Sequence, residues 1–341
     1  MSGFTSQYLS TRLDLFSGRL IDYPRLVGFI DQDLERILVE VRAITGNHYD
    51  LDASGSNDVE SRLIRGALED FRVLIRPFSG NERRYLRFAI RLFELANLKL
   101  LIRGKFSGVD NAEIRRQLVD LGDFADLPLS RLVETDDPHE MLRLLETTAY
   151  AGIVRQARHV YEEQGHDLFL LDATIDRSFF IDLEQRTRFL HDEDAAFLAR
   201  VMDELLDRYN LLWLLRYRFA YGLSPARSFY LLTTTGRKLN ATRLMQLAKL
   251  DSIEAVIAAL PEPYRGRVAG LARISDMETV MEYHALTIAA DMLRTESNLV
   301  ARTFSYILLR EAEARFLQAV IKGKRLEFDR ELIRQAVGLG F

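Results

Sequence analysis

Three times in this chain a long apolar stretch carries polar residues at the same places, and this recurrence restricts the fold more than any other feature. The first stretch, RRYLRFAIRLFELANLKLLIRGK (83–105), spaces Arg84, Arg87, Arg91 and Glu94 three or four positions apart. On a helix they fall along one narrow stripe, and Leu86, Ile90, Phe93, Leu100 and Leu101 take most of the remaining circumference. A helix with so thin a polar stripe must be packed on most sides. The spacing predicts an Arg91–Glu94 pair along the helix and a left-handed stop at Gly104, with Arg103 and Lys105 opposing the negative end of the helix dipole.

The arrangement returns in FLARVMDELLDRYNLLWLLRYRF (197–219), where Asp207, Asn210 and Leu211 replace Glu94, Asn97 and Leu98, and Arg216 and Arg218 replace Arg103 and Lys105. It returns again in FSYILLREAEARFLQAVIKGK (304–324), with Glu313, Leu317, Ile321, Lys322, Gly323 and Lys324 in register and Phe316 at the asparagine position. Beyond the helix, AEIRRQLVDLG (112–122) matches RELIRQAVGLG (330–340) at Glu113/Glu331, Arg116/Arg334, Gln117/Gln335, Val119/Val337, Leu121/Leu339 and Gly122/Gly340. A second recurring element, an apolar helix ending in TGNHY (45–49), TTAY (147–150) and PEPY (261–264), precedes each long helix. A period of about a third of the chain implies repeated helical subdomains rather than a short-repeat solenoid, with units expected at 1–125, 126–240 and 241–341.

Elsewhere, apolar residues recur at three and four positions, β-alternating runs are scarce and prolines number only 7, so an all-α protein is expected. Loop signals fall at TGNHYDLDASGSND (45–58), TDDPHE (135–140) and TTTGRKLN (233–240), among others. Ser56 or Asn57 is expected to cap the helix through Val59 and Leu63, and Asp251 or Ser252 the one through Val256.

Composition removes several function classes. A net charge of −4 argues against nucleic acid as the main partner. With no cysteine, disulfide scaffolds, thiolate metal sites and cysteine nucleophiles are excluded. No signal-peptide pattern opens the sequence, and no segment offers the ~18 uncharged apolar residues of a membrane span. YNLLWLLRYRFAYGL (209–223) comes nearest and contains Arg216 and Arg218. A chain that is soluble, or that docks on a membrane protein rather than entering lipid, is expected.

Catalytic signatures are equally thin. The phosphate loop GxxxxGK[ST] requires a glycine five residues before its Gly-Lys, but that position is Lys99 for Gly104-Lys105 and Gln318 for Gly323-Lys324. TTTGRK (233–238) reads either as an anion-binding turn or as a surface turn into the following helix. Six histidines show no metal-binding spacing. Asp172, Asp176, Asp182 and Glu184 could perform acid–base work, but they alternate with basic residues on what reads as a solvated helix, which favours charge pairing.

Together these segments resemble the V-type ATPase central-stalk component called C in bacterial and archaeal complexes and d in eukaryotic ones. The resemblance is carried by Tyr8-Leu9 with Arg12, Leu145–Tyr150, LDATIDRSFFIDL (171–183), FELANLKLLIRGK (93–105), YLLTTTGRKLNATRLMQL (230–247) and YILLREAEARFLQAVIKGK (306–324), and it covers essentially the whole chain. The chain departs from the family pattern at Phe316 and Asp207. The resemblance implies a funnel of three similar helical subdomains in pseudo-threefold arrangement around a central cavity. It implies a non-catalytic socket, without cofactor or metal, between the rotor shaft (the D- and F-type subunits) and the membrane proteolipid ring. Such a socket lies peripherally on the cytoplasmic face of the membrane and transmits torque for proton or sodium transport.

Two sets of residues then become candidates. Glu94, Asn97, Asp207, Asn210 and Glu313 either line the inner cavity or form inter-helix hydrogen bonds that fix packing. Arg103, Lys105, Arg216, Arg218, Lys322 and Lys324 either complement helix dipoles or converge on one mouth where an acidic partner docks. The competing readings are an α-helical scaffold or adaptor of another complex, and an all-helical enzyme using Asp172–Glu184.

Overall fold

The protein is described from a computed structural model covering residues 3–46, 59–163 and 168–338. Among the described residues there are eighteen α-helices and no strand. In chain order they are α1 (Gly3–Ser17), α2 (Tyr23–Phe29), α3 (Leu34–Thr45), α4 (Val59–Ile75), α5 (Gly80–Phe106), α6 (Asn111–Gln117), α7 (Leu129–Glu134), α8 (Pro138–Leu145), α9 (Ala151–Glu163) and α10 (Leu168–Thr187). They continue with α11 (Asp192–Leu215), α12 (Pro225–Tyr230), α13 (Ala241–Ala248), α14 (Ile253–Ala259), α15 (Tyr264–Val268), α16 (Ile274–Thr295), α17 (Leu299–Arg325) and α18 (Arg330–Gly338). No helix among the described residues is long and apolar enough to cross a membrane.

Contacts divide the chain into two compact units, one of Met1–His48 with Glu184–Phe341 and the other of Tyr49–Leu183. In the first, α17 packs on α1, α2, α3, α11, α16 and α18. Arg302 on α17 donates to the Ser10 hydroxyl and to Asp14 of α1, and Lys324 reaches the Ile30 carbonyl at the end of α2. The beginning of the chain is thereby built into the same bundle as its last long helix. In the second unit, α5 packs on α4, α6 and α8.

The three long stretches of the sequence are the three long helices α5, α11 and α17, each sealed on most of its circumference. Their ends are built alike. Gly104 does not stop α5: the helix runs on to Phe106, and the left-handed residue is Gly108 (φ 68°). The corresponding left-handed residues are Gly222 (φ 64°) after α11 and Glu327 (φ 55°) after α17. The N–H of Val109 closes on the Gly104 carbonyl, that of Phe328 on Gly323, and that of Leu223 on Tyr217, at 2.8, 2.9 and 2.8 Å.

Gly104 and Gly323 serve close packing instead. A Cβ at Gly104 would lie 2.8 Å from Cγ1 of Ile114 on α6, and one at Gly323 would lie 2.6 Å from Cγ1 of Ile333 on α18. In α11 Tyr217 takes the corresponding sequence position, fully buried and stacked on Trp213 at 5.3 Å, and the helix there widens into a π turn over Arg216–Ala220.

Several short helices start on side-chain caps that satisfy free N–H groups. Asp22 and Pro24 open α2, Asp137 and Pro138 open α8, Asn240 opens α13 and Ser252 opens α14. Of the two caps expected for α14, Ser252 is the one used; Ser56 and Asn57 lie outside the described residues.

Candidate functional site

The buried polar groups of the long helices form recurrent anchor points. On α5, Glu94 is fully buried. Its Oε1 accepts from the backbone N–H groups of Asp126 and Leu127, both at 2.8 Å, and its Oε2 from the Tyr150 hydroxyl at 2.5 Å. One turn on, Asn97 bonds both ways to Val119, donating to its carbonyl at 2.6 Å and accepting from its N–H at 2.9 Å. A loop and a tyrosine are thus pinned to one helix by two side chains. Burial raises the Glu94 pKa, and the Tyr150 hydrogen bond works against that rise. Arg91 does not pair with Glu94: it reaches Asp126 at 2.6 Å and lies over the Phe88 and Tyr150 rings.

The same scheme holds on α11. Asp207 accepts from the N–H groups of Leu239 at 2.9 Å and Lys238 at 3.2 Å, and from the Tyr264 hydroxyl at 2.8 Å. Asn210 accepts from the N–H and hydroxyl of Thr233 at 2.9 and 3.0 Å. The TTTGRK turn therefore wraps a carboxylate of this chain. Gly236 permits the approach, since a Cβ there would sit 2.6 Å from Asp207 Oδ1 and 3.0 Å from the Leu239 carbonyl.

The third anchor differs. Glu313 is buried and accepts from Arg310 at 2.6 Å. Arg310, itself completely buried, also donates to the Tyr306 hydroxyl at 2.7 Å. Phe316, at the asparagine position, sets its ring edge-on to Tyr23 with centroids 5.9 Å apart.

The six basic residues separate by environment. Lys105 is buried and donates to the carbonyls of Val133 and Thr135 and to Asn111, at 2.5, 2.6 and 2.6 Å. Arg218, with 13% of its side chain exposed, donates to the carbonyls of Leu223 at 2.8 Å and Leu250 at 3.3 Å. Lys324 donates to the Ile30 carbonyl at 2.6 Å. Each cation thus meets carbonyls at or just beyond the end of a short helix, α7, α13 or α2, where the backbone leaves negative partial charge. Arg216 is 12% exposed and pairs with Glu278 of α16 at 2.6 Å. Arg103 pairs with Asp172 of α10 but keeps 58% of its side chain exposed. Lys322 is exposed.

Sequence reasoning missed the partners on α10 and α16. The α10 carboxylates are not on a solvated face: Asp172 and Asp176 are both buried, and Lys99 holds Asp176 at 2.9 Å. Burial pushes the Asp172 carboxyl up to about 6, against the pull of Arg103 and Lys99. Glu278 and Glu282 are spaced on α16 as Asp172 and Asp176 are on α10, and Glu282 is held by Arg208 and Arg315. The signal was an acid pair one helical turn apart in each preceding helix.

Among the described residues, no group of three or more His, Asp or Glu side chains is placed to hold a metal ion. Glu94, Asp172, Asp176, Asp207 and Glu313 are each engaged in hydrogen bonds or ion pairs within the chain.

Comparison with known proteins gives a consistent result. The family described as ATP synthase (C/AC39) subunit matches residues 43–336. A protein of Methanosarcina mazei, named as the C subunit of an A-type ATP synthase, is 23% identical over 96% of this chain and 91% of its own length. One of the same name from Haloquadratum walsbyi is 24% identical over 98% of this chain and 99% of its own. Another, from Halorubrum lacusprofundi, is 28% identical over 69% of this chain and 68% of its own.

Proposed function

Because the chain belongs to the ATP synthase (C/AC39) subunit family, we propose that it is the non-catalytic socket of an A/V-type ATP synthase, joining the rotor shaft to the membrane proteolipid ring and carrying torque between them. The single observation that carries this reading is the near full-length match to relatives named as the C subunit of A-type ATP synthases. The physics of the anchors supports it. A part that transmits torque needs stiffness and shape, and charge-assisted hydrogen bonds within packed helices supply both.

In this reading three related subdomains, at about 1–125, 126–240 and 241–341, surround a central cavity with pseudo-threefold symmetry. What supports it is the shared bonding of Glu94 and Asp207, and the shared packing of Gly104 and Gly323. The partners are the D- and F-type shaft subunits and the proteolipid ring, and the chain sits peripherally on the cytoplasmic side of the membrane. Arg103 and Lys322 are the exposed members of the basic set and contact an acidic partner surface, while Lys105, Arg216, Arg218 and Lys324 hold the helix ends behind them.

The test is purification of the native complex followed by removal of its catalytic head. The chain stays with the membrane ring if it is the socket, and its departure with the head would refute the reading. Lys322→Glu tests the docking surface separately: affinity for the shaft subunits falls, most at low salt, and an affinity unchanged at every ionic strength removes Lys322 from the interface.

A further inference from the structure

Arg103 on α5, Arg216 on α11 and Lys322 on α17 stand at the same distance past Glu94, Asp207 and Glu313, so the three cations correspond. Two of them have an acid of this chain. Arg103 pairs with Asp172 of α10, and Arg216 pairs with Glu278 of α16 at 2.6 Å. Both acids are buried, and they correspond in turn: each stands equally far before the anchor carboxylate of the long helix that follows it, Asp207 or Glu313. Lys322 is exposed and has no acid partner among the described residues. Counting back the same distance from Glu94 leads to Val59, so the one remaining segment with a corresponding place carries no acid there either.

We propose that Lys322 receives an Asp or Glu from a helix of a neighbouring chain, laid along the end of α17 as α16 lies along α11. The inference rests on the reading of this chain as a component of a rotary complex and names the chemistry of one of its contacts. A helix is the fitting partner because the acids of both corresponding cations stand on helices, α10 and α16, and α16 packs closely on α11.

The surface around Lys322 suits such a guest. Gln318, Ala319 and Leu326 lie three or four positions from Lys322 and so share its side of α17. Leu326 is 53% exposed, an apolar side chain that a packed helix would cover. Ala319 stands where α5 has Leu100 and α11 has Trp213, and its small side chain lets a second helix come near. The charges fix what the guest must bring. Arg315 is already held by Glu282 and Glu311, and Lys324 by the Ile30 carbonyl, which leaves Lys322 as the cation on offer. Lys99, which holds Asp176 at 2.9 Å, has neutral Gln318 as its counterpart on α17. The guest therefore needs one carboxylate opposite Lys322, where α10 supplies two.

The native complex is treated with a water-soluble carbodiimide, which joins an amine to a carboxylate in contact with it, and the linked peptides are identified by mass spectrometry. The expected product links Lys322 to an Asp or Glu within a helical segment of another chain. Lys322→Arg keeps the charge but cannot couple, so the link disappears while attachment holds. Lys322→Gln weakens attachment to the neighbouring chains by about threefold or more at low salt, and the difference shrinks as salt rises. A link to an acid of this chain's own sequence or to a loop of another chain overturns the proposal. So does a complex that contains the chain but yields no link at Lys322, or a Lys322→Gln variant that attaches as tightly as the parent. A complex that lacks the chain altogether is a distinct result, which refutes the rotary reading itself and the proposal with it.

Discussion

The hydroxyl of Tyr150 donates to Glu94 at 2.5 Å, joining residues 56 positions apart, and Tyr264 makes the corresponding bond to Asp207 at 2.8 Å across 57. Both bonds are buried, so each tyrosine is the third donor on a carboxylate that two backbone N–H groups already hold.

Replacing that donor tests the anchor. Tyr150→Phe leaves a buried carboxylate oxygen short of a partner and costs about 1–3 kcal/mol in urea unfolding. The bond favours the charged form of Glu94, so the loss is greater at neutral pH than in mild acid. Equal losses at both pH values would mean the tyrosine acts through packing alone.

Close packing at the glycines makes a second prediction. Gly104→Ala drives a methyl group into Ile114 and destabilises by about 1–3 kcal/mol. In an Ile114→Ala background the same change costs much less, and this coupling, read from a double-mutant cycle, separates a clash from a helix-propensity effect, which would favour alanine.

Glu327 holds φ 55° where the other two long helices end on glycine. Glu327→Gly removes the clash between Cβ and backbone and stabilises by about 0.5–1 kcal/mol after the entropy cost of glycine, visible as a raised unfolding midpoint. The opposite change, Gly108→Ala, lowers it.

Asp172 predicts a pH dependence. Its carboxyl is raised by burial from 3.8 to about 6 in the folded protein, so the folded state binds a proton that the unfolded state has released. Its stabilising contribution is present below about pH 4 and is lost as pH climbs through about 6, a change on the order of 2–3 kcal/mol. Asp172→Asn flattens that slope in denaturation measured across the window; an unchanged slope would place the titration elsewhere.

Helical class was legible in the sequence, because it rests on periodicity within one segment; the same periodicity left open whether Glu94, Asp207 and Glu313 line a cavity or bond between elements, and their burial comes from tertiary packing. Partners were less legible. Arg91 and Glu94 stand at pairing distance along a helix, yet each goes to a loop residue, Asp126 or Leu127, that only tertiary packing brings near. Gly104 sits where a helix could stop, but its lack of a Cβ is used for Ile114. α10 alternates acid and base like a surface helix, and it is buried because Lys99 and Arg103 lie across from its acids.

Arg302 and Lys324 bind groups that lie 292 and 294 positions earlier in the chain. During synthesis, α1 and α2 must therefore wait for a packing partner made roughly 290 residues later. Until α17 is made, the apolar sides of α1 and α2 that it covers stay open to water, a surface for a chaperone to protect.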